Sequence, residues 1–277
     1  MQDFKNKVAL VTGASRGIGK AVAQKLARCG ADVIINYSNN DAEASTLQAE
    51  LSANGTKPSI FRADISNFEA VEKMVLWAIQ EYGKIDILVN NAGIGKHRPF
   101  IEMSHEQWRN IIDVNLTGTF NVTKHVVPHM IRQQTGKIVN VSSIGGLLAT
   151  DGQCAYAASK AGVMAFTRVL GKELIPYNIN VNSVAPGLTD TDRLQGLDQN
   201  LFEDLKSNVP ALRIGKPEEI ANLILFLCSE DASYIVGQTY VIDGGLSISP
   251  AGRVTPAVRP KTGNKHSKND RTQRHVP

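Results

Sequence analysis

Apolar residues along this chain fall into two alternating patterns. Short runs such as 7–12 (KVALVT) hold consecutive apolar residues (here 8–11), whereas the segments between them repeat apolar positions at helical spacing. In 14–29 the residues Ile18, Val22 and Leu26 line one face and Gly30 supplies a stop; in 67–82 Val71, Val75 and Ile79 do the same. The pattern predicts strands at 7–12, 32–37, 59–62, 85–89, 137–141, 180–184 and 239–242. Between them it predicts helices at 14–29, 41–53, 67–82, 106–134, 155–175 and 217–228. Strands that are apolar at successive positions belong to a sheet covered on both faces. Seven strands, separated by segments long enough for right-handed crossovers, predict an α/β chain. The expected architecture is one Rossmann-type, doubly wound domain with a seven-stranded parallel sheet and helices on both faces. Ligands of such sheets bind beyond the carboxyl ends of the strands.

Composition narrows the class. The chain has 277 residues, 42 % hydrophobic and 20 % charged, which excludes fibrous, coiled-coil and wholly disordered proteins. No apolar run approaches the ~20 residues of a membrane span, and 1–7 is polar rather than a basic-then-apolar leader, so a cytoplasmic protein is expected. Cys29, Cys154 and Cys228 show no CxxC spacing, and His125 and His129 lack a third ligand, so neither disulfides nor a metal are expected. The net charge of +4 is uneven. Residues 249–277 hold seven Lys and Arg against Asp270, a balance of +6 that leaves −2 for 1–248. The expected division is a catalytic domain at 1–248 and a basic, disordered tail at 249–277. A nucleic-acid arm is one reading of that tail; a solvated extension is the expected one.

The candidate chemistry falls at strand ends. Thr12 to Gly19 (TGASRGIG) follows the first strand and opens the first helix. Gly13 permits a tight turn, Gly17 lets backbone approach a pyrophosphate, and Gly19 allows close helix–sheet packing. Gly13, Ser15, Arg16, Gly17, Ile18 and Gly19 are therefore candidate dinucleotide-binding residues. A carboxylate ~20 residues farther on would accept the adenosine ribose and repel a 2′-phosphate. Here the second strand ends Asn36-Tyr37-Ser38-Asn39-Asn40, with no acid before Asp41. With Arg16 in reach, NADP (NADPH) is expected over NAD. Tyr156 and Lys160 are four apart on one helix face, and Ser143 ends the strand–loop before them. An ammonium near a phenol favours the phenolate, which suits proton exchange near neutral pH.

In combination these motifs resemble the short-chain dehydrogenase/reductase family over residues 5–248. The pieces are TGASRGIG at 12–19, NNAG at 90–93, Asn115 in VNLTG, VSS at 141–143, YAASK at 156–160 and PG at 186–187. The resemblance implies that Tyr156 is the proton donor to a substrate carbonyl, Lys160 binds the nicotinamide ribose and lowers the Tyr156 pKa, Ser143 binds the substrate oxygen, and Asn115 anchors a relay water. It further implies that Asp64 and Ile65 meet the adenine, Asn90 and Ala92 wall the adenosine side, Gly187 and Thr189 meet the carboxamide, and Ser38 marks the ribose-phosphate position. A homotetramer built on helices 106–134 and 155–175 is implied as well. Within the family, ALVTGASRGIG, GKIVNVSS, VNSVAPG and VIDGG look most like reductases of 3-oxoacyl thioesters, carried on acyl carrier protein or coenzyme A. Ile94-Gly95-Lys96-His97 departs from that pattern and keeps a sugar, alcohol or secondary-metabolite ketone as the alternative. A non-catalytic NADP-sensing regulator is the alternative of another class, disfavoured because Tyr156 and Lys160 are both present. Segment 188–215 follows the cleft and reads as a substrate lid.

Overall fold

A computed structural model of the protein describes residues 3–53, 55–192, 194 and 198–249. The expectation of a disordered tail at 249–277 therefore falls almost wholly outside the described residues. Seven strands form one sheet: β1 (Val8–Val11), β2 (Asp32–Tyr37), β3 (Ser59–Arg62), β4 (Ile87–Asn90), β5 (Gly136–Val141), β6 (Ile179–Pro186) and β7 (Thr239–Ile242). Their spatial order is β3-β2-β1-β4-β5-β6-β7, and every neighbouring pair is parallel. The chain moves outward from β1 to β3, then returns to the far side of β1 with β4. That reversal opens a crevice at the carboxyl ends of β1 and β4.

Two apolar layers cover the sheet. On one face Ala23, Leu26, Leu47, Leu51, Ile220 and Ile224 pack from α1 (Gly17–Arg28), α2 (Asp41–Ser52) and a later helix, Pro217–Cys228. On the other Val71, Met74, Val122, Val126 and Met130 pack from α3 (Phe68–Tyr82) and from the helix Gly118–Gln133. β5 and β6 are buried along their whole length between these layers, their polar residues Lys137, Asn140, Asn180, Asn182 and Ser183 included. Caps set the ends: Asn67 Oδ1 accepts the Ala70 N–H at 2.8 Å to open α3, and Gly83, at φ 78°, closes it.

The expected single helix at 106–134 is corrected. It is α4 (His105–Ile112), a π-turn at Asp113–Thr117, and α5 (Gly118–Gln133). The π-turn brings the Asn115 side chain inward, where it is fully buried and hydrogen-bonded; a single-turn bulge of this kind often marks a functional position. Beyond α6 (Cys154–Leu174), the 188–215 segment contains a short helix, α7 (Gln199–Ser207), and α8 is Pro217–Cys228.

Candidate active site

The turn after β1 is shaped by backbone closeness. Gly13 has φ +59°, and a Cβ there would lie 2.8 Å from Ala92 Cα, in the loop after β4. At Gly17 (φ +55°) a Cβ would meet Thr191 Cγ2 at 3.3 Å, so the 188–215 segment rests on this turn. A Cβ on Gly19 would press on Asn91 Nδ2 at 2.5 Å. Each glycine thus occupies a place no larger residue fits without strain. Arg16 is the N-cap of α1 but makes no side-chain cap bond, and the first turn holds no acid. The amide end of α1 is left to an anion. Ser15 lies half-buried in the turn, while the Ile18 side chain packs on the core. This cradle fits the pyrophosphate of a dinucleotide.

Polar side chains that the sequence reading missed hold the turn. Thr12 Oγ1 accepts the N–H groups of Asn91 and Ala92 at 3.0 and 3.1 Å. Asn91 Nδ2 donates to Thr12 O and Gly13 O at 2.9 and 3.0 Å. Asn36, buried in β2, accepts from Gly13 N at 3.4 Å and donates to Ala63 O at 3.0 Å. An asparagine inside the apolar run DVIINY was the one available signal for the last of these.

At the other end of the crevice, Ser38 follows β2, with Arg62 beside it donating Nε–H to Ser38 O at 3.2 Å. Asp64 is exposed and accepts from Ser66 N and Oγ, whereas Ile65 is buried against Gly118 and its carbonyl accepts from Asn121. The Asn90 side chain lies inside the core: Nδ2 donates to Thr123 Oγ1 and Asn140 Oδ1 at 3.0 and 2.9 Å, while Oδ1 is buried with no hydrogen-bond partner. Only its backbone is available to the crevice wall.

The four candidate catalytic residues do converge. Lys160, 5 % exposed, donates from Nζ to Val141 O at 2.8 Å, and that ammonium lies 5.8 Å from the Tyr156 ring centre. The point where a Gly145 Cβ would lie is 3.2 Å from Tyr156 Cε1 and 3.4 Å from Ser143 Oγ, so the phenol and the serine hydroxyl flank one spot. Ser143 Oγ accepts the Gly145 N–H at 3.1 Å, which leaves its own proton free to donate. Asn115 clamps the loop after β4 to α6: Oδ1 accepts Ile94 N at 2.8 Å, and Nδ2 donates to Ile94 O at 2.9 Å and Ser159 Oγ at 3.0 Å. Gly93 completes the group, since its Cβ position is 3.3 Å from both Asn115 Oδ1 and Lys160 Nζ. After β6, Gly187 runs against Asp243, whose carboxylate accepts Gly245 N and Ser247 N. Thr189 pairs with Gly215, so 188–215 is a loop pinched at its base. Among the described residues no group of three or more metal-ligating side chains occurs, and no helix is long and apolar enough to cross a membrane.

A sequence model of the family described as enoyl-(acyl carrier protein) reductase matches residues 13–247. A 3-oxoacyl-(acyl-carrier-protein) reductase of Thermotoga maritima is 44 % identical over 246 residues, covering 88 % of this chain and 99 % of that protein. The chain belongs to the short-chain dehydrogenase/reductase family. This short-chain reductase is also 45 % identical over 242 residues to the corresponding protein of Chlamydia muridarum, across 87 % of this chain and 98 % of that one. Among solved structures it resembles a provisionally named gluconate dehydrogenase from Agrobacterium tumefaciens, with TM-score 0.85 and 34 % identity over 89 % of this chain and 98 % of that one. Membership makes it an oxidoreductase acting between CH–OH and C=O with a nicotinamide cofactor.

Proposed function

We propose that this short-chain reductase uses NADPH to reduce the ketone of a 3-oxoacyl thioester, on acyl carrier protein or coenzyme A, to the 3-hydroxyacyl form. The observation that carries the reading is the shared spot at Gly145 flanked by the Tyr156 ring and Ser143 Oγ, with the Lys160 ammonium behind it. It is supported by relatives of 42–45 % identity that are named for that substrate. When bound, the reduced nicotinamide supplies a hydride to the ketone carbon. Ser143 donates its free hydroxyl proton in a hydrogen bond to the ketone oxygen and fixes its position. Tyr156 transfers its phenolic proton to that oxygen as negative charge develops there. Lys160 stabilises the phenolate left behind. Asn115 holds the water through which the proton is restored, in the space left by the missing side chain of Gly93.

The preference for NADPH is supported by the end of β2, which carries no acid before Asp41, and by Arg16 in the turn. The wall of the site is assigned to Gly13, Ser15, Gly17, Ile18, Gly19, Ser38, Asp64, Ile65, the Asn90 backbone, Ala92, Gly187 and Thr189. The assembly we propose is a cytoplasmic homotetramer, supported by Phe120 on α5 and Val169 on α6, both large apolar residues left exposed.

The test is loss of NADPH absorbance with acetoacetyl-coenzyme A as substrate and crotonyl-coenzyme A beside it, since the matching family description names an enoyl reductase. Turnover of the ketone alone supports the reading; turnover of the enoyl thioester alone overturns it. Silence from a folded, NADPH-binding protein also overturns it, in favour of a sugar or alcohol ketone, the chemistry for which the Agrobacterium structure is named.

A further inference from the structure

Arg16, in the glycine turn, is one cation for the 2′-phosphate of NADP. Its exposed side chain has Nε 3.8 Å from Asp192 Oδ2, in the segment that rests on that turn. The adenosine ribose belongs beyond β2, the strand next to the turn. A second cation already stands on the ribose flank. Strand register pairs Arg62, the last residue of β3, with Tyr37, the last of β2. From there Arg62 donates Nε–H to Ser38 O at 3.2 Å, which fixes the guanidinium at the residue where β2 ends. Side chains two apart on an extended segment share a side, so Arg62 is on the same side as Asp64, the adenine-end residue. With Nε engaged, the two terminal nitrogens of the fork remain for one phosphate, Nη1 by giving up an open contact. Nη1 lies 3.6 Å from Asp41 Oδ2, and both side chains are more than 60 % exposed. A pair this open contributes little and yields readily to a phosphate dianion.

We propose that Arg62, held by the Ser38 carbonyl, is a second cation beside Arg16 that recognises the 2′-phosphate and strengthens the preference for NADP over NAD. The inference rests on the NADPH reading given above and adds to Arg16 a residue two positions before Asp64, outside the glycine turn. A guanidinium–phosphate contact falls among the stronger hydrogen bonds, so its loss is read as a large fold-change.

The experiment compares dissociation constants of NADPH and NADH, measured by nicotinamide fluorescence on the full chain, for the unaltered protein, Arg62→Gln, Arg62→Lys and Arg16→Ala. Glutamine can still donate to Ser38 O but carries no charge. The expected result is that Arg62→Gln weakens NADPH by about tenfold or more and NADH by less than about twofold. Arg62→Lys should recover most of the difference, and Arg16→Ala should also weaken NADPH more than NADH. Equal weakening of both cofactors by Arg62→Gln would make Arg62 a tie between strands and overturn the proposal, as would an unchanged NADPH constant. If the unaltered protein itself does not prefer NADPH, the cofactor reading fails first, and the inference with it; the unaltered protein's constants alone separate that case.

Discussion

Asn115 gives the sharpest test of how the site is built. Its amide makes three hydrogen bonds, to Ile94 N at 2.8 Å, Ile94 O at 2.9 Å and Ser159 Oγ at 3.0 Å, from a position with no solvent exposure. Asn115→Ala removes all three and introduces no clash. A net of about 0.5–1.5 kcal/mol for each bond gives an expected loss of about 2–4 kcal/mol. A domain of ordinary stability, roughly 5–15 kcal/mol, survives that loss as a folded protein. At about 2–4 °C per kcal/mol for a chain of this size, the melting temperature should fall by roughly 5–15 °C. The assay is urea unfolding followed by far-ultraviolet circular dichroism, at one fixed protein concentration because assembly adds to apparent stability. The midpoint should move at an unchanged slope, and turnover should fall with it, because the loop after β4 is no longer tied to α6. A loss below about 1 kcal/mol, well under the sum of three such bonds, would refute the claim that this amide clamps the loop and sustains the π-turn.

Tyr156→Phe should abolish NADPH oxidation while the NADPH dissociation constant stays within about threefold, a shift below the ~1 kcal/mol of one ordinary hydrogen bond; loss of cofactor binding would make the phenol structural. Gly13→Ala should cost about 1–2 kcal/mol for the left-handed backbone alone, with more from the 2.8 Å approach to Ala92 Cα, and calorimetry with a cofactor titration should record lower stability and lost binding together. The Arg213 guanidinium, bonded twice to Glu219 at 2.7 Å, holds the Glu219 carboxyl down from its ordinary 4.5 to about 2. That pair stabilises the fold above the ordinary value and fades as pH falls toward the depressed one. Glu219→Gln should therefore melt below the unaltered protein near neutral pH and converge with it as pH approaches 2; a gap that widens in acid would refute the assignment.

Periodicity carried most of the fold because burial selects apolar residues at the core-facing positions of each strand and helix. The runs at 32–37 and 59–62 match β2 and β3 to the residue, and the helix at 217–228 matches α8. The π-turn escaped because it adds one residue within a long helical stretch, too small a change for an apolar repeat to register. The four candidate catalytic residues were legible through their motifs, and they do come together. The groups that hold the turn were not, since Thr12 and Asn91 meet across a separation of 79 residues. Arg62 was invisible for a similar reason: only the register of two strands brings it to Ser38.

The π-turn also has a geometric effect on everything downstream of it. An α-helix advances about 100° per residue, and a π-turn accommodates one residue beyond the α-helical count. α5 is thereby rotated about 100° out of phase with the line α4 would have continued. In an unbroken helix, aiming residue 115 inward would dictate the azimuth of residue 120. Here the two are uncoupled: Asn115 turns into the crevice while Phe120 faces outward and Val122, Val126 and Met130 meet the sheet. Deleting one residue from 113–117 would leave composition and helicity almost untouched, yet it would swing the whole of α5 through that angle.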